Sequence, residues 1–288
     1  MPEPLTREAT LAGQWYPGSK KAIEAQLESW QGYIRSFKQP AGRMFAVIVP
    51  HAGWYFSGRL AAMALTMAVE SFGGEGPALL VIMGGHLGSG APLVAFGEDL
   101  WETPLGPVTL APELNPELKS PDLQPKIWPG PTDDNTVEVQ MPLAKLLAPK
   151  ARVWALRVPP GPKSLALGAI LARMEGADPG RALLVASTDL THYGQAYGFA
   201  PAGPGPGGEE YRFQNDRSFI EPALTLDPVA MTLAGVRNKA ACSAGAAAAV
   251  TEAARILGAQ ARLLDHYSSH DVRPGDVSVG YAAIGYEI

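Results

Sequence analysis

Four short apolar runs, at residues 44–49, 78–83, 152–158 and 182–186, constrain this 288-residue chain more than any other feature. Each has the length and the β-branched content of a buried strand and is too short for a buried helix. Segments of helical periodicity separate them, beginning near Ser57 and running over 137–147 and 163–174. That alternation predicts an α/β fold, with a central, mostly parallel sheet flanked by helices. A further helix is expected over 19–32, capped by Ser19 and carrying Ile23, Leu27 and Trp30 at helical spacing. Others are expected over 215–224, 228–235 and 243–257. Residues 91–111 read as short strands in an antiparallel excursion, and PAGPGPGG at 201–208 reads as a surface loop. Two terminal strands, 261–266 and 277–286, have the pattern of a hairpin-type return, which makes the sheet mixed. With no internal repeat and no linker-like break, residues 1–288 are expected to form one domain.

Hydrophobic residues make up 47% of the chain and charged residues 18%, which is ample material for one core. The net charge of −5 gives no reason to expect nucleic acid or an anionic membrane as partner. No apolar run approaches the roughly 18–20 residues that span a bilayer. The opening segment lacks a basic stretch followed by an apolar one, so no secretory signal is expected. One cysteine cannot form an internal disulfide, which fits a reducing cytoplasm.

The chemistry-bearing residues gather where the apolar runs end. AVIVP runs into His51, LLVIMGG into His86, and LLVASTDLT into His192. In an open α/β sheet, ligands bind beyond the carboxyl ends of the strands, so histidines delivered there from separate strands can converge. Each can also be a structural histidine, but small residues follow His51, and Gly84-Gly85 clears space before His86. Asp189 and His192 lie three residues apart, so a helical turn would place them on one face. Asp189 then orients or balances His192, which serves as a general acid/base; the plainer alternative is that Ser187 or Asp189 caps a short turn. Cys242 is either a small buried hydrophobe or, at an expected helix N-terminus whose dipole favours thiolate, a metal ligand or nucleophile. Glu138, after the polar stretch Asp133-Asp134-Asn135-Thr136, is either a working carboxylate or part of a solvated helix face. His266 and His270 are either substrate contacts or surface residues. Two imidazoles, a thiol and a nearby carboxylate suit a transition metal. Phosphate-loop, H-E-x-x-H, paired C-x-x-C and G-x-S-x-G motifs are absent from the sequence.

Several motifs occur in a fixed order: AGQWYP at 12–17, PHAGW at 50–54, GGH at 84–86, DNTVE at 134–138, STDLTH at 187–192 and YAA at 281–283. In these the chain resembles the Memo family, whose prokaryotic members are called AmmeMemoRadiSam system protein B. The resemblance runs from about residue 7 to the C-terminus. It implies the fold of class III extradiol dioxygenases, the non-haem iron enzymes that open catechol rings with O₂. It also implies metal ligation by His51, His86 and Cys242, with Asp189 and His192 lining the same pocket. Fe(II) is the metal expected first, with Cu or Zn as alternatives because a thiolate is softer than the carboxylate of ring-cleaving enzymes. Members of the family often carry histidines where this chain has Asn135 and Gln140.

Two functions follow. In the first, an iron-dependent oxidoreductase acts with O₂ on a small phenolic or catechol-like substrate. There His192 and Asp189 move protons, Trp54 and Tyr55 form an aromatic wall, and Glu138 and His266 touch substrate. In the second, a non-catalytic iron- or copper-binding or redox-linked protein works with partner proteins, a radical-SAM enzyme among them.

Overall fold

In the computed structural model, residues 3–128 and 134–288 are described. The chain begins with β1 (Thr6–Arg7) and then α1 (Lys20–Arg35), whose first turn is capped by the Ser19 hydroxyl. The first long strand, β2 (Met44–Val49), leads through one π-helical turn (Trp54–Gly58) into α2 (Arg59–Ser71) and β3 (Leu79–Gly84). Short strands β4 (Val94–Phe96), β5 (Leu100–Trp101), β6 (Val108–Thr109) and β7 (Lys126–Trp128) follow. The two helices α3 (Asn135–Glu138) and α4 (Met141–Leu147) precede β8 (Arg152–Arg157) and α5 (Pro162–Ala177). Next come β9 (Ala182–Ser187), β10 (His192–Tyr193), α6 (Pro206–Leu224), α7 (Pro228–Arg237) and α8 (Ala244–Ile256). The chain closes with β11 (Gln260–Ser268), α9 (Ser269–Val272) and β12 (Ser278–Glu287).

The main sheet runs β10-β12-β2-β9-β3-β8-β4-β7, with β11 on the other edge of β12. Strands β2, β9, β3 and β8 are mutually parallel, so the four expected runs end at one edge of the sheet. The closing return is present as expected: β11 and β12 pair antiparallel, and β12 pairs antiparallel with β2. The result is the expected α/β fold with a mixed sheet flanked by helices. Alternation along each strand feeds two cores. In β3, Leu79, Val81 and Met83 pack in the core that includes α5 and α8, whereas Leu80 and Ile82 pack in the core that includes α1 and α2.

Three local expectations change. The helix expected over 137–147 is broken into α3 and α4, because Pro142 lacks the N–H that a continuous helix needs and starts a new one instead. Helix α6 begins at Pro206 rather than 215, so the glycine-rich segment ends inside its first turn. The 91–111 excursion feeds two sheets: β4 joins the edge of the main sheet, while β5 and β6 form a small separate sheet with β1. Asp133, the first residue of the polar stretch before α3, lies outside the described residues.

Candidate metal centre

His51 leaves the end of β2, His86 follows β3 after Gly84-Gly85, and Asp189 follows β9, so parallel neighbours deliver all three to one edge. Cys242 arrives from the other side, two residues before α8. Its place is set by a reciprocal pair of bonds: the Cys242 N–H donates to the Asp189 carbonyl at 3.1 Å, and the Asp189 N–H donates to Cys242 Sγ at 3.3 Å. Ser243 N–H adds a bond to Thr188 Oγ1 at 3.0 Å.

The donors meet closely. His51 Nε2 lies 3.2 Å from His86 Nε2 and 3.1 Å from Cys242 Sγ, and the three ligating atoms all fall within 4.8 Å of one another. Two imidazole nitrogens at this separation need either one proton or one cation between them. An ion bonded tetrahedrally at about 2.0–2.3 Å sets its donors about 3.3–3.6 Å apart, and the two separations made by His51 are close to that range. The electrostatics agree. Burial lowers His51 to about 4, and burial followed by the charge of His51 lowers His86, so both rings are neutral donors at ordinary pH. Burial, and then Asp189, push the Cys242 thiol up to about 12. This corrects the expectation that a helix dipole favours the thiolate: Cys242 precedes the helix and is half-buried beside Asp189, so desolvation dominates. The thiolate forms where a cation takes the proton's place.

A polar frame holds the ligands. The Asp189 carboxylate accepts the backbone N–H groups of His51 at 2.7 Å and Ala52 at 3.1 Å. Asn135 donates to the His51 carbonyl, and Gln140 donates to the Pro50 carbonyl and to Ser187 Oγ. Ser187 Oγ in turn sits 3.3 Å from His51 Nδ1, the ring nitrogen facing away from the cluster. Thr136 Oγ1 accepts the Gly85 N–H at 2.7 Å, and Gly85 takes φ +112°, which favours glycine. Gly84 thus makes room for Thr136 beside β3, and Gly85 lies against Arg157 and Leu87. Asp134 forms an ion pair with Arg157 at 2.6 Å; burial alone would raise its carboxyl, but Thr136 and Arg157 hold it below the usual range. Sequence reading assigned no role to Thr136 or Arg157, and offered Ser187 only as a cap. The dense polar run at 134–136 was the available signal.

A cleft of about 760 Å³ opens onto this floor, lined by His51, His86, Asp189 and His192 below and by Trp15, Phe56, Tyr197, Val277, Val279 and Tyr281 on its walls. His192 is half-buried, lowered by burial, with its ring 5.0 Å from that of Tyr197. Among the described residues no hydrogen bond joins Asp189 to His192, and the segment between them is not helical. Asp189, raised by burial, holds the His51 backbone instead of orienting His192.

The four expected substrate contacts lie elsewhere. Trp54 is 4% exposed, packs on Tyr16 and Trp30, and donates its indole N–H to the Val139 carbonyl. Tyr55 is 69% exposed and borders a neighbouring cleft with Arg59. The π-helical turn that starts at Trp54 sends one ring into the core and the other outward. Glu138 is buried and accepts from Thr10 Oγ1, the Leu11 N–H and Tyr16 Oη, so it ties down the N-terminal segment. His266 bonds Asp216 at 2.9 Å and stacks on Phe213. His270 accepts from the Gly275 N–H on the α9 side of the molecule.

Fold and site together define a mixed α/β protein with a two-histidine, one-cysteine centre at the carboxyl edge of its parallel strands. The family model described as Memo-like protein matches residues 7–285, and the chain belongs to that family. Proteins similar to it include a MEMO1 family protein of Nitrosopumilus maritimus, 28% identical over 98% of this chain and 100% of the other. Another, from Thermococcus onnurineus, is 30% identical over 97% of this chain and 99% of the other. An uncharacterised protein of Escherichia coli K12, known from a crystal structure, aligns with a TM-score of 0.54 at 14% identity. The alignment covers 84% of this chain and 99% of that one, and the likeness is one of fold. Among the described residues no helix is long and apolar enough to cross a membrane.

Proposed function

We propose that this chain is a non-haem, metal-dependent oxidoreductase acting on a small aromatic compound, with His51, His86 and Cys242 as ligands to Fe(II). The observation that carries this reading is the convergence of the three donors, two of which (His51 and His86) form part of the floor of an aromatic-walled cleft large enough for such a molecule. When bound, the ion supplies Lewis-acid and redox chemistry at positions the protein leaves open. The protein's own part is positioning and proton handling. Trp15, Phe56 and Tyr281 bracket a planar molecule, and Arg273 and Asn135 add polar groups to the lining. His192, held neutral by burial and open to the cleft, accepts a proton at a ring nitrogen from a phenolic hydroxyl.

The thiol within the donor set favours a second reading: a copper-, zinc- or iron-binding, redox-linked protein that works beside a partner such as a radical-SAM enzyme. A thiolate is softer than a carboxylate and is itself oxidisable, which suits metal or electron handling.

Metal analysis of anaerobically purified protein, alongside His51→Ala and Cys242→Ala, tests both readings. We expect about one equivalent of metal in the wild type and its loss in both variants. Oxygen uptake by iron-loaded protein across a panel of catechols then separates them. Uptake with at least one compound supports the oxidoreductase, and stoichiometric metal without any uptake supports the second reading.

A further inference from the structure

The donor cluster is open on two sides. The large cleft reaches His51 and Asp189. A second cleft of about 450 Å³ reaches Cys242 instead, and is lined by Phe199, Gly235, Lys239 and Ala241. His86, His192 and Tyr197 line both and so form the partition between them. Cys242 borders only the second, and it is half-buried.

The lining of the second cleft has a definite charge. Among the described residues no carboxylate borders it, and its two histidines, His86 and His192, carry no permanent charge. The nearest acid, Asp189, is 3% exposed, faces the first cleft, and has its carboxylate bonded to two backbone N–H groups. Among the described residues, Lys239 is therefore the one permanent charge on the wall. Its ammonium lies 5.1 Å from the centre of the Phe199 ring, and its side chain forms no ion pair among the described residues. Its backbone takes φ +54°, an uncommon conformation for lysine, since asparagine or glycine fits there at less cost.

We propose that the second cleft is a separate entrance through which small anions reach the Cys242 side of the donor cluster, drawn by Lys239. An aromatic molecule in the first cleft and a small anion in the second would then approach opposite faces of one centre without passing each other. This rests on reading His51, His86 and Cys242 as one cluster, but its test needs neither metal nor turnover.

Cys242 is the chain's one cysteine, so thiol–disulfide exchange reports on it alone. In the exchange the small fraction of Cys242 that is thiolate without a cation attacks one sulfur of an aromatic disulfide, the S–S bond breaks, one aryl thiolate leaves, and a mixed disulfide remains on Cys242. The metal-free full chain is treated with the dianionic 5,5′-dithiobis(2-nitrobenzoate) and, separately, with the neutral 4,4′-dithiodipyridine. We expect Lys239→Asn, which suits the positive φ, to slow the anionic reagent about fivefold at low salt and to leave the neutral one unchanged. Lys239→Arg is expected to restore the anionic rate, and added salt to erase the difference. Equal slowing of both reagents, no slowing of either, or no reaction with the folded wild type would each overturn the proposal. A crystal structure of the anionic adduct gives a second check. The aryl group lies beside Lys239 if the proposal holds, and in the first cleft against Trp15 if it does not.

Discussion

The Nδ1 atom of His51 lies 3.3 Å from the Oγ of Ser187, the last residue of the neighbouring parallel strand, and Gln140 donates to that same oxygen at 3.1 Å. For His51 to offer the lone pair of Nε2 to a cation, its proton must reside on Nδ1, and Ser187 Oγ is the acceptor placed to receive it. Ser187→Ala removes that acceptor and leaves a buried N–H unpaired. We expect metal affinity to fall about 10- to 100-fold with stoichiometry unchanged, read by competition against a chelator of known affinity. An affinity within twofold of wild type would mean that Ser187 only fills space.

Glu138 makes a different kind of contribution. Its carboxylate accepts from Thr10 Oγ1 at 2.9 Å, the Leu11 N–H at 2.7 Å and Tyr16 Oη at 2.9 Å, and so fixes the segment that carries Trp15 to the lip of the cleft. Glu138→Ala strands the buried Tyr16 hydroxyl and the half-buried Leu11 N–H, at a cost of about 3 kcal/mol. The expected signature is a lower denaturant midpoint with metal stoichiometry retained, because Glu138 touches none of the three donors. Loss of metal in a variant of normal stability would instead return Glu138 to the site.

The contrast between these residues shows what was legible in the amino-acid order. The parallel strands were, because Met44–Val49 and Leu79–Gly84 are dense, short and apolar on both faces. His51 and His86 followed from them, since a residue just past a parallel strand must lie at its carboxyl edge. The side to which the next few residues turn was not legible. Trp54 and Tyr55 follow His51 closely, yet the π-helical turn sends neither into the cleft and delivers Phe56 instead, while the other aromatic walls come from Trp15, Tyr197 and Tyr281 in distant segments. The state of Cys242 was hidden for a similar reason. A helix start argues for a thiolate, but desolvation of the half-buried thiol and the charge of Asp189 oppose it, and only the folded chain supplies them.

Gly84 and Thr136 are in contact so close that a methyl group on Gly84 would occupy the space of the Thr136 hydroxyl. Gly84→Ala must push α3 away from β3, breaking the bond from the Gly85 N–H to Thr136 Oγ1 just before His86. We expect a loss of about 1–3 kcal/mol in stability together with weaker metal binding. Combining Gly84→Ala with Thr136→Ala should cost less than the sum of the single changes, because both lose the same bond. Strict additivity in a double-mutant cycle would show that the contact has no energetic weight.

His51 also makes the stability of the metal-free chain depend on pH. Burial lowers its folded value from 6.5 to about 4, so between these limits the unfolded chain takes up a proton that the folded chain refuses. Stability from this group is complete above pH 6.5 and is lost as the pH falls towards 4, a change of about 3 kcal/mol. His86 and His192 are lowered by burial as well and act in the same direction. Asp189 acts oppositely: burial raises it, so its folded form accepts a proton earlier and offsets part of the loss. Three imidazoles against one carboxylate leave a net decline. We therefore expect the urea midpoint of metal-free protein to fall steadily from pH 7 to pH 4.5, and His51→Gln to flatten that slope. A midpoint that does not change with pH over this range would mean that His51 is solvated or already protonated in the folded chain. The dry, neutral donor cluster would then have to be abandoned.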